Sequence, residues 1–275
     1  MMMNFSLNYL GFNIVNSFSE RAPHLLIGKF LGSEALGFYA LALRLVAHPL
    51  ETVSYITGNV LFPVFSKIQK DNIRIGDLYL QAMKHTGFLV FPIMVGLLIT
   101  APELIQVVFG EKWKNAIFVL QVLSVAGFIQ AVNTNNSVLY LAKGRTDVQL
   151  KMSLLSLFII AIALYIGTGW GINGVAIGYT MASFVIIYPC LRVPYGIINL
   201  KIYRLLLMLK EVFLISAIMG IPTFMVAYLL RSYGIAPLFI LTSSVLTGVV
   251  VYILCSLLIN RSLLTSFYEM INLRV

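Results

Sequence analysis

Eight apolar stretches, each about as long as a bilayer-crossing helix, constrain this chain more than any other feature. A spanning helix needs about 20 largely apolar residues. Runs of that kind lie at 9–31, 37–63, 81–108, 116–141, 148–168, 171–193, 209–231 and 236–259. They are continuous and lack the ten-residue alternation of transmembrane barrel strands. With 60% hydrophobic and only 11% charged residues, the chain cannot clothe a soluble surface, and disorder is excluded on the same ground. The expectation is an all-α integral membrane protein with about eight transmembrane helices. Residues 1–193 form a six-helix bundle, 194–208 a linker with the makings of an interfacial piece, and 209–275 an extra C-terminal helix pair.

The formal charge of +9 comes from 19 Lys and Arg against 10 Asp and Glu. On a soluble protein that excess would raise nucleic acid as a partner; beside apolar runs it first reports topology. If the first span starts in the cytoplasm, thirteen cationic residues fall at cytoplasmic ends, among them Lys67, Lys143, Lys201, Arg261 and Arg274. Four (Lys29, Lys112, Lys114 and Arg231) fall on the opposite side, and Arg21 and Arg44 lie within spans. This asymmetry follows the positive-inside rule, predicts both termini in the cytoplasm, and leaves no call for nucleic acid. Cys190 and Cys255 sit inside apolar segments with no disulfide or metal-ligand pattern. The opening Met-Met-Met-Asn-Phe-Ser has no basic n-region and is not read as a signal peptide.

Polar residues within the first two spans are the candidate site. Asn13, Ser17, Glu20 with Arg21, His24 and Gly28 recur every three or four residues, as do Arg44, His48, Glu51, Tyr55 and Asn59. Such spacing gathers side chains on one helix face. A charge at mid-membrane costs roughly 2.5–3.5 kcal/mol even on insertion scales, so these groups must face protein or water. One reading is an ion-pair network, Glu20 or Glu51 against Arg21 or Arg44, that fixes helix packing. The other is a hydrated, partly cationic cavity for a polar or anionic substrate, with Asn16 added to the wall. Pro23 and Pro49 free backbone groups in the same spans, and Pro92, Gly96 and Pro102 suggest a bent or broken third helix.

Further along, Gln130, Asn133, Thr134, Ser137 and Tyr140 form another polar stripe, suited to cavity lining or to interhelical hydrogen bonds. Gly174, Gly178 and Ala182 make a small-residue ridge for close helix approach. There is no Walker loop, Cys/His metal cluster or nucleophile elbow. Neither catalysis nor a cofactor or metal is expected.

The segment from Pro23 to Leu45, PHLLIGKFLGSEALGFYALALRL, resembles the repeat-start signature of oligosaccharide flippases. Leu61-Phe62-Pro63, Phe91-Pro92 with Gly96, Ala101-Pro102-Glu103-Leu104, Val108-Phe109-Gly110-Glu111-Lys112-Trp113 and the loop Leu141–Asp147 continue that pattern. The chain is thereby similar to the Wzx-like, polysaccharide-transport branch of the multidrug/oligosaccharidyl-lipid/polysaccharide exporter superfamily, resembling its C-terminal portion. The resemblance implies two pseudo-symmetric six-helix bundles, here only the second plus the extra pair, with a missing N-terminal half or a homodimer as partner. It implies translocation of undecaprenyl-diphosphate-linked oligosaccharide across the bacterial inner membrane for surface polysaccharide or O-antigen biosynthesis. In that light Arg21 and Arg44 would attract the diphosphate, Glu20 and Glu51 balance them or couple to ions, and Asn13, Asn16, Tyr55 and Asn59 contact sugar. A drug or metabolite antiporter of the same superfamily and a non-transporting fragment are the alternatives.

Overall fold

The computed structural model describes residues 2–259, so Arg261, Arg274 and the end of the expected C-terminal pair lie outside the described residues. Helix α1 (Met2–Phe30) passes to α2 (Gly32–Lys67) through a turn at Leu31. Gly32 there has φ 88°, a left-handed backbone conformation natural to glycine. The expected polar loop 66–80 is mostly helix: α2 runs to Lys67 and α3 (Asn72–Val108) starts after four intervening residues. The Asp71 carboxylate caps α3 by accepting from the Arg74 N–H at 3.0 Å. Ile75, Tyr79 and Leu80 are buried, so an apolar stripe prolongs the helix beyond its purely apolar stretch. Pro92 and Pro102 lie inside α3 without interrupting it.

The fourth apolar run is interrupted instead. It forms α4 (Ala116–Asn133) and α5 (Asn136–Ala142), parted at Thr134–Asn135. Then follow α6 (Thr146–Gly167), α7 (Gly171–Ile197), α8 (Ile202–Ser232) and α9 (Pro237–Ile259). Residues 194–208 comprise the last turn of α7, a tight turn with Asn199 at φ 54°, and the start of α8.

By length and composition, five helical segments among the described residues can cross a membrane. They are Asn72–Val108, Ala116–Ala142, Thr146–Ile197, Ile202–Ser232 and Pro237–Leu258, and Thr146–Ile197 takes in both α6 and α7. The chain is a multi-pass, all-helical membrane protein. Helices α1 and α2 are long enough, but their amides and charges dilute their hydropathy. Large apolar side chains of α6 to α9, including Phe158, Phe184, Phe224 and Leu246, point outward, as a lipid-facing surface requires.

Helix α3 lies at the centre, touched by α2, α4, α8 and α9, while α1 rests chiefly on α6 and α2 on α4. The small-residue ridge of α7 brings two backbones together: a Cβ on Gly174 would lie 2.4 Å from the Gly167 carbonyl oxygen, and one on Gly178 2.5 Å from that of Ala163. Helices α3 and α8 run parallel, fastened by Asp77–Arg204 (3.0 Å), Lys84–Glu211 (2.8 Å) and Glu103–Arg231 (2.6 Å). The partners are 127, 127 and 128 residues apart, so the register is kept along the whole contact.

Candidate functional site

All eight sequence-derived candidates (Asn13, Asn16, Glu20, Arg21, Arg44, Glu51, Tyr55 and Asn59) lie on exposed helix surface. On α2 this is the face opposite the buried Tyr39, Ala42, Val46, Leu50 and Val53, which pack into the core. Tyr55 is 73% exposed. Among the described residues, the four ion pairs are the three between α3 and α8 and Arg145–Asp147. No ion pair ties Glu20 or Glu51 to Arg21 or Arg44, so packing of α1 on α2 does not depend on such a network.

The single face expected for α1 is split in two. Asn13, Ser17 and Arg21 line an open groove of about 370 Å³ together with Leu10, Ile14 and Phe18. Asn16 and Glu20 line a different, partly open cavity of about 350 Å³ together with residues of α4, α5, α6 and α7. The two sets are offset by three residues, which is about 60° around a helix. Asn16 donates from Nδ2 to Glu20 Oε1 at 2.7 Å and so orients the carboxylate at the cavity edge.

The cavity wall mixes hydroxyls and amides with the apolar side chains of Phe12, Ile129, Met152, Ile160 and Ile186. Gln130, Asn133, Ser137 and Tyr140 come from the fourth run, and Gln149, Ser153 and Ser156 from α6. Tyr179, Ser183 and Cys190 come from α7. Glu20 is the one charged side chain in this lining. The stripe on the fourth run serves both purposes foreseen for it. Gln130 Nε2 donates to the Tyr179 hydroxyl at 3.2 Å, while Ser137 and Tyr140 face the cavity.

Two asparagines secure the helix break. Asn135 is fully buried, accepts from Thr57 Oγ1 on α2 at 3.0 Å and donates to Thr86 Oγ1 on α3 at 3.3 Å. Asn136 accepts from the Tyr79 hydroxyl at 2.6 Å and donates to the Cys190 carbonyl on α7 at 2.9 Å. Backbone groups lost to the helix at membrane depth must be sheltered by protein, and these bonds hold the break inside the bundle. Near the expected cytoplasmic end, Lys143 donates to the Gln69 carbonyl and to Asn72 Oδ1, clasping the α2–α3 turn. Burial pushes the Lys143 ammonium below its usual pKa, and the Asp71 carboxylate opposes that shift.

Sequence reasoning passed over the α6 and α7 contributions. The signal was there: Gln149, Ser153 and Ser156, and Tyr179, Ser183 and Ile186, recur at i, i+4 and i+7. Each stripe is too sparse among apolar neighbours to stand out from one helix alone.

With this geometry in place, known proteins can be compared. The family described as "Polysaccharide biosynthesis protein" matches residues 1–118, which cover α1, α2 and α3. The chain is 30% identical over 251 residues to the teichuronic acid biosynthesis protein TuaB of Bacillus subtilis (strain 168), covering 91% of this chain and 52% of that one. It is 31% identical over 192 residues to the lipopolysaccharide biosynthesis protein WzxC of Escherichia coli (strain K12), covering 66% of this chain and 39% of that one. Among solved structures, the lipid II flippase MurJ in its inward closed conformation superposes with a TM-score of 0.70 at 20% identity, over 91% of this chain and 52% of that one. At that identity the likeness speaks for the fold. The chain thus spans about half the length of these relatives or less; it is similar in sequence to polysaccharide biosynthesis proteins and shares its fold with a lipid II flippase.

Proposed function

We propose that this chain is one lobe of a flippase that moves undecaprenyl-diphosphate-linked oligosaccharide across the bacterial inner membrane for surface polysaccharide assembly. Residues 1–193 are the lobe, 194–208 the connection, and the helices that follow within the described residues an accessory pair. The second wall of the translocation path comes from another six-helix half or from a second copy of this chain. One observation carries the proposal. Arg21 and Arg44 sit in long helices flanked by apolar residues, yet both are exposed and without an ion-pair partner among the described residues. Charges so placed are tolerated only beside protein or water, which makes their surface the wall of a path between lobes.

Chemistry agrees with the assignment. Guanidinium presents a planar fork of donors that matches phosphate oxygens, so Arg21 and Arg44 hold the diphosphate. Glu20 and Glu51 offset the cations or take part in ion or proton coupling, and Asn13, Tyr55 and Asn59 offer hydrogen bonds to sugar. Eight crossings with both termini in the cytoplasm fit the parallel pairing of α3 and α8. Parallel helices start on one side, so the segments between them cross an odd number of times, as α4 with α5, then α6 and α7, would do. The names of the relatives support the substrate class, with biosynthesis of teichuronic acid and lipopolysaccharide on one hand and a lipid II flippase on the other.

The test is export of surface polysaccharide in cells that depend on the complete transporter. Arg21→Ala with Arg44→Ala is expected to abolish export at normal membrane abundance, and normal export by that double variant would refute the proposal.

A further inference from the structure

The cavity between α1 and α4 to α7 has chemistry distinct from the arginine-bearing surface. Gln149 is 3% exposed and neither its Nε2 nor its Oε1 has a hydrogen-bond partner. The Tyr140 hydroxyl, on a residue 4% exposed, has none either. All three atoms belong to side chains lining this cavity. Buried polar groups are rarely left unmet, because each one forfeits its hydration without recompense. The same cavity has a single charged side chain, Glu20, and no cationic one. Its volume of about 350 Å³ suits a small ligand, at the low end of the roughly 300–1,000 Å³ typical of such sites.

What satisfies this wall can be argued group by group. An amide needs an acceptor for its N–H and a donor for its C=O. A bare cation would meet Gln149 Oε1 and leave Nε2 facing a positive charge. A phosphate would meet Nε2 but find no cation and stand near the Glu20 carboxylate. An apolar molecule would leave all three atoms unmet. Sugar hydroxyls donate and accept on the same atom, and so match both halves of an amide and a phenol without needing a cation.

We infer that this intralobe cavity is a saccharide subsite, and that Glu20 makes it selective for uncharged over anionic sugar units. The inference rests on the flippase reading for its substrate class, and it adds a sugar contact on the face of α1 about 60° round from the groove that holds Arg21. Asn16 holds one Glu20 oxygen at 2.7 Å, which leaves the other to accept from a hydroxyl and to repel a uronate carboxylate.

The experiment uses the full chain in lipid nanodiscs and saturation-transfer NMR titrations with cellobiose, cellobiouronic acid, sodium chloride and inorganic pyrophosphate. Cellobiose should bind at least tenfold more tightly than cellobiouronic acid. Glu20→Gln should bring the two within about twofold, and Gln149→Leu should weaken cellobiose at least tenfold. Gln149→Leu should also raise the thermal midpoint, because it replaces an unmet amide by an apolar group of similar size. Absence of cellobiose binding, indifference of that binding to Gln149→Leu, or a lowered midpoint in that variant each overturns the inference. So does a site that takes sodium in competition with cellobiose. Pyrophosphate reports the arginine surface separately. If its binding ignores Arg21→Ala and Arg44→Ala while the cellobiose pattern holds, the diphosphate assignment fails and the saccharide subsite stands.

Discussion

Two pairs of helices carry charges within or beside apolar runs, and they treat them in opposite ways. Along α3 and α8, Asp77, Lys84 and Glu103 each meet an opposite charge at 2.6–3.0 Å, and the pairs dock α8 on α3 in register. Along α1 and α2, Arg21, Arg44 and Glu51 lie on exposed surface with no ion-pair partner among the described residues. The first arrangement neutralises charge and fixes structure. The second keeps charge available, which stabilises nothing within the lobe and therefore points to something outside it.

That contrast is sharpest where stability and transport are measured on the same variants. On the proposed function, removing Arg21 and Arg44 together would delete two charge-assisted contacts to phosphate, at about 1.5–3 kcal/mol each, and export should fall by at least a hundredfold. Unfolding of the purified variant should move by no more than about 0.5 kcal/mol, as for a surface substitution. A stability loss several times larger would place the arginines in a structural network and erase the contrast.

Glu103→Ala should do the reverse. Glu103 is 4% exposed, and its two oxygens accept from Arg231 at 2.6 and 2.8 Å while the guanidinium also reaches the Ile99 carbonyl. Deleting one partner of such a pair leaves an uncompensated charge in a poorly solvated place. We expect a loss of about 3 kcal/mol, the low end for buried pairs because the Arg231 side chain is 33% exposed. Chemical unfolding in detergent measures it, with Glu103→Gln recovering part of the loss through a neutral hydrogen bond. A loss under about 1 kcal/mol would show the pair to be as dispensable as an exposed one.

Much of this architecture was legible in the sequence because a bilayer imposes a simple code of length and hydropathy. Runs 148–168 and 171–193 match α6 and α7 closely, since Gly171 and the turn before it interrupt the apolar stretch. The Gly174 and Gly178 ridge was legible for the same reason, as small residues at spacing four have few other uses. The extent of α3 was not: its first turns are polar on one side, and only the burial of Ile75, Tyr79 and Leu80 makes them helix. The break at Thr134–Asn135 was hidden because no proline or glycine marks it; its stability comes from Thr57, Thr86 and Tyr79 on distant helices. The α1 candidates were found but assigned one face. Whether a residue three positions along joins its neighbour or turns into a cavity depends on which helices flank it, here α6 on one side and open surface on the other.

The smallest effects lie at the more exposed rungs of the α3–α8 ladder. The Lys84 side chain is 16% exposed against 48% for Glu211, and the Asp77 and Arg204 side chains are 47% and 45% exposed. A double-mutant cycle on Lys84 and Glu211 should return about 0.5–1 kcal/mol of coupling, and the same cycle on Asp77 and Arg204 less than about 0.5 kcal/mol. Both should shrink in high salt, because counterions screen ion pairs whose groups reach solvent. The gradient from Glu103 through Lys84 to Asp77 follows burial together with bond count, since Arg231 makes two hydrogen bonds to Glu103 and the other two pairs make one each. Equal coupling at the three positions would mean that register, not desolvation, sets their strength, and the unpaired charges of α1 and α2 would then need a different explanation.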